Sequence, residues 1–115
     1  MRVVIFGSRG ITDMAILEQA IKQASFHITT IISGGAKGAD ALGEAYANAH
    51  NIPLEIYKPD WKKYGRKAGP LRNEQMAKLA DAGIGLWDGQ SRGTRHMHSY
   101  MQKIGKPVYC KIFDV

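Results

Sequence analysis

Five short runs rich in β-branched and aromatic residues alternate with stretches of helical periodicity along this chain, and that alternation limits the possible folds more than any other feature. RVVIF (residues 2–6) predicts a first strand, and HITTIIS (27–33), PLEIYK (53–58), GIGLWD (83–88) and PVYCKIF (107–113) predict four more. Between them the pattern predicts a helix from Asp13 to Ser25, with Ala15, Ile16, Ala20 and Ile21 on one apolar face, and another from Ala39 to His50. A third runs from Gly69 to Leu79, with Pro70 at its first position, and a fourth covers SRGTRHMHSYMQKIG (91–105).

Strands that alternate with helices fold into a parallel sheet covered on both faces, because right-handed crossovers deposit a helix on either side. The expectation is an α/β, Rossmann-like domain with a five-stranded, mainly parallel sheet of order 3-2-1-4-5. Ligands of such sheets sit beyond the carboxyl ends of the strands, where the strand order reverses, which is here the crevice between strands one and four. At 115 residues the sequence provides for one hydrophobic core, so residues 1–115 are read as a single domain.

The residues that follow the strands are chemically distinctive. Strand one ends in Gly7-Ser8-Arg9-Gly10, strand two in Ser33-Gly34-Gly35-Ala36-Lys37-Gly38, and strand four in Asp88-Gly89-Gln90-Ser91-Arg92-Gly93-Thr94. Each tract combines glycine with hydroxyl or cationic groups and precedes a helix. Glycine lets backbone amides approach an anion closely, and the following helix aims unsatisfied N–H groups at the same place. The tracts therefore read as phosphate-binding loops, although one such turn by itself could be a tight connection only. Neither the dinucleotide fingerprint GxGxxG nor the ATPase loop GxxxxGK[ST] is present. Asp40 either accepts from a ribose hydroxyl or complements the dipole of its helix, and Asp88 either binds ribose or caps its loop.

The net charge of +6 is concentrated between residues 58 and 72, where Lys58, Lys62, Lys63, Arg66, Lys67 and Arg72 face one acid, Asp60. That density suits a polyanionic partner, from a nucleotide to a nucleic acid. The stretch from Lys58 to Gly69 is longer than the usual connection in this architecture and is expected to be a loop that closes over a ligand. Trp61 and Tyr64 within it either stack on a base or pin the loop to the body. Arg72 and Asn73 open the next helix toward the same crevice, with a salt bridge as the competing role for Arg72.

Cys110, the one cysteine, excludes an internal disulfide and a multi-cysteine metal site and reads as a buried core thiol. His96 and His98 lie two apart on a helix, on diverging faces, which is poor geometry for a metal; His27 and His50 read as surface residues. Met76, Met97 and Met101 read as core packing. With no apolar run near the roughly 18 residues of a membrane span and no secretory leader, a cytoplasmic protein without membrane association is expected.

At these residues the sequence resembles the YspA/YpsA-related branch of the SLOG superfamily. The resemblance runs in order over nearly the whole chain through Gly7-Ser8-Arg9, Gly34-Gly35-Ala36-Lys37-Gly38-Ala39-Asp40, Trp61 with Tyr64-Gly65, Ala68 to Met76 and Ser91-Arg92-Gly93-Thr94. It implies a Rossmann-like domain that senses or processes a nucleotide-derived ligand, with no obligatory cofactor or metal. SLOG relatives include the single-stranded DNA-binding protein DprA and the Lonely Guy phosphoribohydrolases, and they commonly self-associate, so the resemblance leaves nucleic acid and a second copy of the chain open as partners.

Arg72 and Met76 resemble the Arg-Lys-x-x-Met segment of the phosphoribohydrolases, whose arginine is catalytic, with Asn73 replacing the lysine. Gly93 and Thr94 resemble the end of their Pro-Gly-Gly-x-Gly-Thr-x-x-Glu motif, with Gly89 near its earlier glycines, and the catalytic glutamate falls at Met97. A thioether neither accepts a proton nor stabilises developing oxocarbenium charge, so that hydrolysis would need Glu74, Asp40 or Asp88 in its place. The catalytic candidates are thus Arg72, which the resemblance implies, and Glu74, as a substitute for the glutamate that the motif lacks here. Strand-end chemistry and the resemblance together give Gly7, Ser8, Arg9, Gly34, Gly35, Lys37, Gly38, Asp40, Trp61, Asn73, Asp88, Gly89, Ser91, Arg92, Gly93 and Thr94 as expected ligand contacts.

Overall fold

The structure is a computed structural model that describes residues 1–113. Its strands are β1 (Arg2–Gly7), β2 (Thr30–Ser33), β3 (Leu54–Ile56), β4 (Ala82–Trp87) and β5 (Val108–Ile112), and its helices are α1 (Met14–Ala24), α2 (Ala39–Ala49), α3 (Trp61–Tyr64), α4 (Ala68–Leu79) and α5 (Arg92–Lys103). The strands form one parallel sheet, as the alternating pattern implied, in the expected order β3-β2-β1-β4-β5.

Alternation along β1 decides which layer each residue supports. Val3 and Ile5 point to one face and pack with Leu17 and Ala20 of α1 and Ala39, Leu42 and Ala47 of α2. Val4 and Phe6 point to the other, where Met76 and Ala77 of α4 meet Met97 and Met101 of α5. β4 places Ala82, Ile84 and Leu86 on the first face and glycines on the second. Those glycines make room: a Cβ on Gly83 would lie 2.5 Å from Met101 Sδ, and one on Gly85 would lie 2.6 Å from Phe6 Cζ.

Three local expectations change. Ala15 is exposed, and Leu17 takes its place on the buried face of α1, because that helix packs against both α2 and β4 and so presents a wider stripe than four positions describe. Cys110 is half-buried, since β5 is an edge strand with a single neighbour. The stretch from residue 58 to 69 is largely helical. Asp60 caps α3 by accepting a hydrogen bond from Lys63 N at 3.1 Å, Gly65 ends it at φ +55°, and a 3-10 turn over Gly65–Lys67 leads into α4. Pro70 consequently occupies the third position of α4, where its missing N–H still costs no intrahelical bond.

Candidate functional site

The carboxyl ends of β1, β2 and β4 open onto two adjoining hollows. The larger, about 510 Å³, lies between the β1 end, the first turn of α4 and the first turn of α5. The smaller, about 310 Å³, lies over the β2–α2 loop beside Lys58 and Pro59. Arg9, Ala36, Trp61 and Arg72 wall both, so the hollows form one bipartite cleft of a size that suits a small organic ligand.

Arg72 stands at the junction. Its Nη1 donates to the carbonyls of Gly34 and, at 3.3 Å, of Tyr57, and its Nε donates to Asn73 Oδ1 at 3.1 Å. Asn73 in turn donates from Nδ2 to the Gly93 carbonyl at 3.4 Å, which ties α4 to the start of α5. No ion pair to Arg72 closes within 4 Å among the described residues, so its charge is held by neutral carbonyls and remains available to an anion. Burial lowers its pKa, with Asp40 opposing that and Arg9 reinforcing it.

Asp40, in the first turn of α2, is the carboxylate facing this arginine. It is 6 % exposed and accepts a hydrogen bond from Ala36 N at 3.1 Å. Burial pushes its pKa up to about 6, against the pull of the Ala36 N–H and the Arg72 charge, while Glu44 adds to the rise. Both Asp40 and Arg72 are therefore shifted toward neutrality: removal from water outweighs their mutual attraction.

The glycines of the second tract have different tasks. A Cβ on Gly34 would lie 2.5 Å from Arg72 Nη1 and 2.8 Å from Asp40 Oδ2, so only a bare Cα lets guanidinium and carboxylate flank this point. Gly38 caps α2 at φ +76°, and a Cβ there would lie 2.4 Å from the Ser8 carbonyl oxygen. Its bareness locks the β2–α2 loop onto the β1–α1 loop rather than facing the cleft. Gly35, at φ +74°, lines the smaller hollow beside Lys58.

Of the residues singled out in the sequence, Gly7, Arg9, Asp40, Trp61, Arg72, Asn73, Ser91, Arg92, Gly93 and Thr94 line the larger hollow, and Gly34 and Gly35 the smaller. Ser91 caps α5, its Oγ accepting from Thr94 N at 3.3 Å and from Thr94 Oγ1 at 3.0 Å. Ser8, Lys37, Gly38, Glu74, Asp88 and Gly89 line neither hollow. Ser8 is a buried strut: its N–H donates to the Leu86 carbonyl at 2.9 Å and its Oγ accepts from Asp88 N at 3.0 Å. Asp88 Oδ1 accepts from Gln90 N at 2.8 Å and Ser91 N at 2.9 Å, and these donors hold its pKa below the usual carboxylate value.

Glu74 reaches the cleft only through a neighbour. Its Oε2 lies 3.4 Å from Nε2 of His96, and it is the histidine that lines the larger hollow, with a buried Nδ1 lacking a hydrogen-bond partner among the described residues. Met76 and Met97, each 1 % exposed, pack in the core as anticipated and also wall this hollow. Phe6, Ala36, Gly69, Pro70 and His96 line the larger hollow without having been singled out as ligand contacts; the packing of α4 against α5 brings His96 there, and the one sequence signal was its place beside Met97. Among the described residues no group of three or more His, Cys, Asp or Glu could hold a metal ion, and no helix is long and apolar enough to cross a membrane.

The model of the YAcAr family, described as YspA, cpYpsA-related SLOG, matches residues 1–64, which include the first two glycine loops and Trp61. The chain is also 35 % identical over 116 residues to the Gene 61 protein of Mycobacterium phage D29, with 93 % of each chain covered.

Proposed function

Because the chain belongs to the YspA, cpYpsA-related SLOG family, whose membership is consistent with nucleotide-related binding or processing, we propose that it holds a nucleoside phosphate or an ADP-ribose-like ligand in the bipartite cleft. The observation that carries this reading is the cleft's charge: Arg9, Arg72 and Arg92 wall the larger hollow, Lys58 joins at the smaller, and among the described residues Asp40 is the one acidic residue lining either. Such a wall favours a ligand with more than one negative charge. Trp61, which is exposed, offers the same ligand a ring at the rim.

Calorimetry with AMP, ADP, ADP-ribose and NAD tests the proposal. At least one is expected to bind, and Arg72→Gln is expected to weaken it by more than tenfold, the order of a lost charge-assisted bond to phosphate. Silence across the panel from well-folded protein would remove the reading.

A second reading, hydrolysis of an N-glycosidic bond, is favoured by Asp40, a carboxyl on the cleft wall with a pKa pushed up to about 6 and hence able to change protonation near neutrality. Glu74 would act in it through His96. Release of free base from AMP, followed by chromatography, separates the two; absence of product at high protein concentration leaves binding alone.

A further inference from the structure

Arg72 keeps its place on the cleft wall with no carboxylate in contact. Its Nε and Nη1 are engaged by Asn73 and by the Gly34 and Tyr57 carbonyls, and Nη2 has no hydrogen-bond partner among the described residues. That nitrogen is not shut away from solvent either, since the buried side-chain atom left without a partner among the described residues is His96 Nδ1. Asp40 stands behind the same point. A Cβ on Gly34 would lie 2.5 Å from Arg72 Nη1 and 2.8 Å from Asp40 Oδ2, which puts the two atoms at most about 5.3 Å apart, a range at which one charge shifts another's protonation. No ion pair within 4 Å joins them. The pair is close enough to couple and too far apart to lock.

The charges around Asp40 divide over its proton. Arg72 of α4 and the amides of Ala36 and Gly34 favour the carboxylate, whereas burial and Glu44, one turn along α2, oppose it. Removal from water is the strongest of these and brings the pKa up to about 6. Arg9 from the β1–α1 loop and Arg92 and His96 from α5 line the same hollow. Ser33 of β2 stands behind, its Oγ donating to Glu44 Oε2 at 2.7 Å. Glu44 lines neither hollow, so Asp40 is the carboxyl that an incoming anion meets.

An anion drawn to Arg72 acts on Asp40 twice. It neutralises the guanidinium that favours the carboxylate, and it brings a like charge to the wall that the carboxylate shares. Both changes disfavour ionised Asp40. Linkage is reciprocal, so a proton on Asp40 strengthens the hold on the anion by the same factor. The competing account is structural, because a carboxylate in the first turn of a helix complements its dipole. That role calls for a charge, and it is at odds with a side chain so deeply buried that the charge is disfavoured.

We propose that the cleft is a proton-coupled anion site, in which Asp40 takes up a proton from solvent as an anion settles on Arg72. This rests on the cleft accepting a phosphate-bearing ligand and adds the regulation of that site: acid strengthens the hold on the ligand, and alkali weakens it, over the range in which Asp40 titrates.

The test measures ADP-ribose and inorganic pyrophosphate by calorimetry at about pH 5 and about pH 8, on wild type and on Asp40→Asn. Below about 6 Asp40 is already neutral and the anion meets no like charge; as pH rises through about 6 that advantage is lost in wild type and kept in the variant. Dividing the wild-type affinity by the variant's cancels the titration of His96 and of the probe itself, which both proteins share. A coupling of about one pKa unit, the lower end for a neighbouring charge, makes this quotient fall roughly tenfold from acid to alkaline pH. Carboxyl-carbon NMR of the free protein needs neither ligand nor Asp40 variant: Arg72→Gln is expected to raise the Asp40 midpoint from about 6 by about one unit. A flat quotient with binding intact, or a midpoint unmoved by Arg72→Gln, overturns the coupling and leaves the nucleotide reading standing. Pyrophosphate that binds with the expected fall while ADP-ribose and the nucleotides are silent ends the nucleotide reading and keeps the coupling. Failure of both probes to bind folded protein overturns the proposal.

Discussion

Replacing Asp40 by asparagine isolates the cost of a charge buried beneath the cleft. In the folded protein this carboxyl titrates at about 6 against an ordinary value of 3.8. It is 6 % exposed, so solvent screening removes little of the effect. The native state therefore binds its proton more tightly than the unfolded chain does. The stability contributed by the protonated form is fully present below the ordinary value and is lost as pH rises through about 6. The gap between the two values corresponds to about 3 kcal/mol. Asparagine resembles the neutral carboxyl and keeps an oxygen for the Ala36 N–H, so its own contribution should not vary with pH. Urea unfolding of both proteins between about pH 4 and about pH 8 should show the variant gaining on wild type by up to about 3 kcal/mol as pH rises, with the change centred between the two titration values. A stability difference constant across that window would refute the reasoning, because it would mean that the native fold does not penalise the Asp40 charge.

Two other expectations follow from the same geometry. Gly34→Ala should displace Arg72, since the new Cβ would meet Nη1 at 2.5 Å. Because a flexible side chain can retreat, the cost should be in the range of about 1–3 kcal/mol by thermal or urea unfolding, with the loss of nucleotide affinity matching that of Arg72→Gln; unchanged affinity would deny Arg72 its place. Cys110, whose thiol burial pushes up to about 11, should react with iodoacetamide at neutral pH far more slowly than a free cysteine, and labelling at the free rate would contradict its half-buried setting.

The fold was legible because it depends on periodicity. Strands buried on both faces read as continuous apolar runs, helices read as 3.6-residue patterns, and right-handed crossovers lay the strands into one parallel sheet; handedness alone admits more than one strand order, and β3-β2-β1-β4-β5 is the one the fold takes. The helical path of residues 61–67 was harder to read, because Trp61, Lys62 and Lys63 show no apolar face and the signals for that turn are the Asp60 cap and the Gly65 stop alone.

Within the candidate site, sequence located the tracts at the strand ends and the arginine that opens α4. What each glycine does there depends on partners far along the chain: Gly34 meets Arg72, and Gly38 meets Ser8. The same holds for Glu74, which faces His96, and for Asp88, which is occupied with its own loop amides. Sequence by itself determined the sheet and the rim on which a ligand could sit, since periodicity and strand-end chemistry are local properties. Only the tertiary structure decided that Arg72 rests on neutral carbonyls and that Asp40 is costly to ionise, because desolvation and charge pairing arise from atoms that the chain brings together only when it folds.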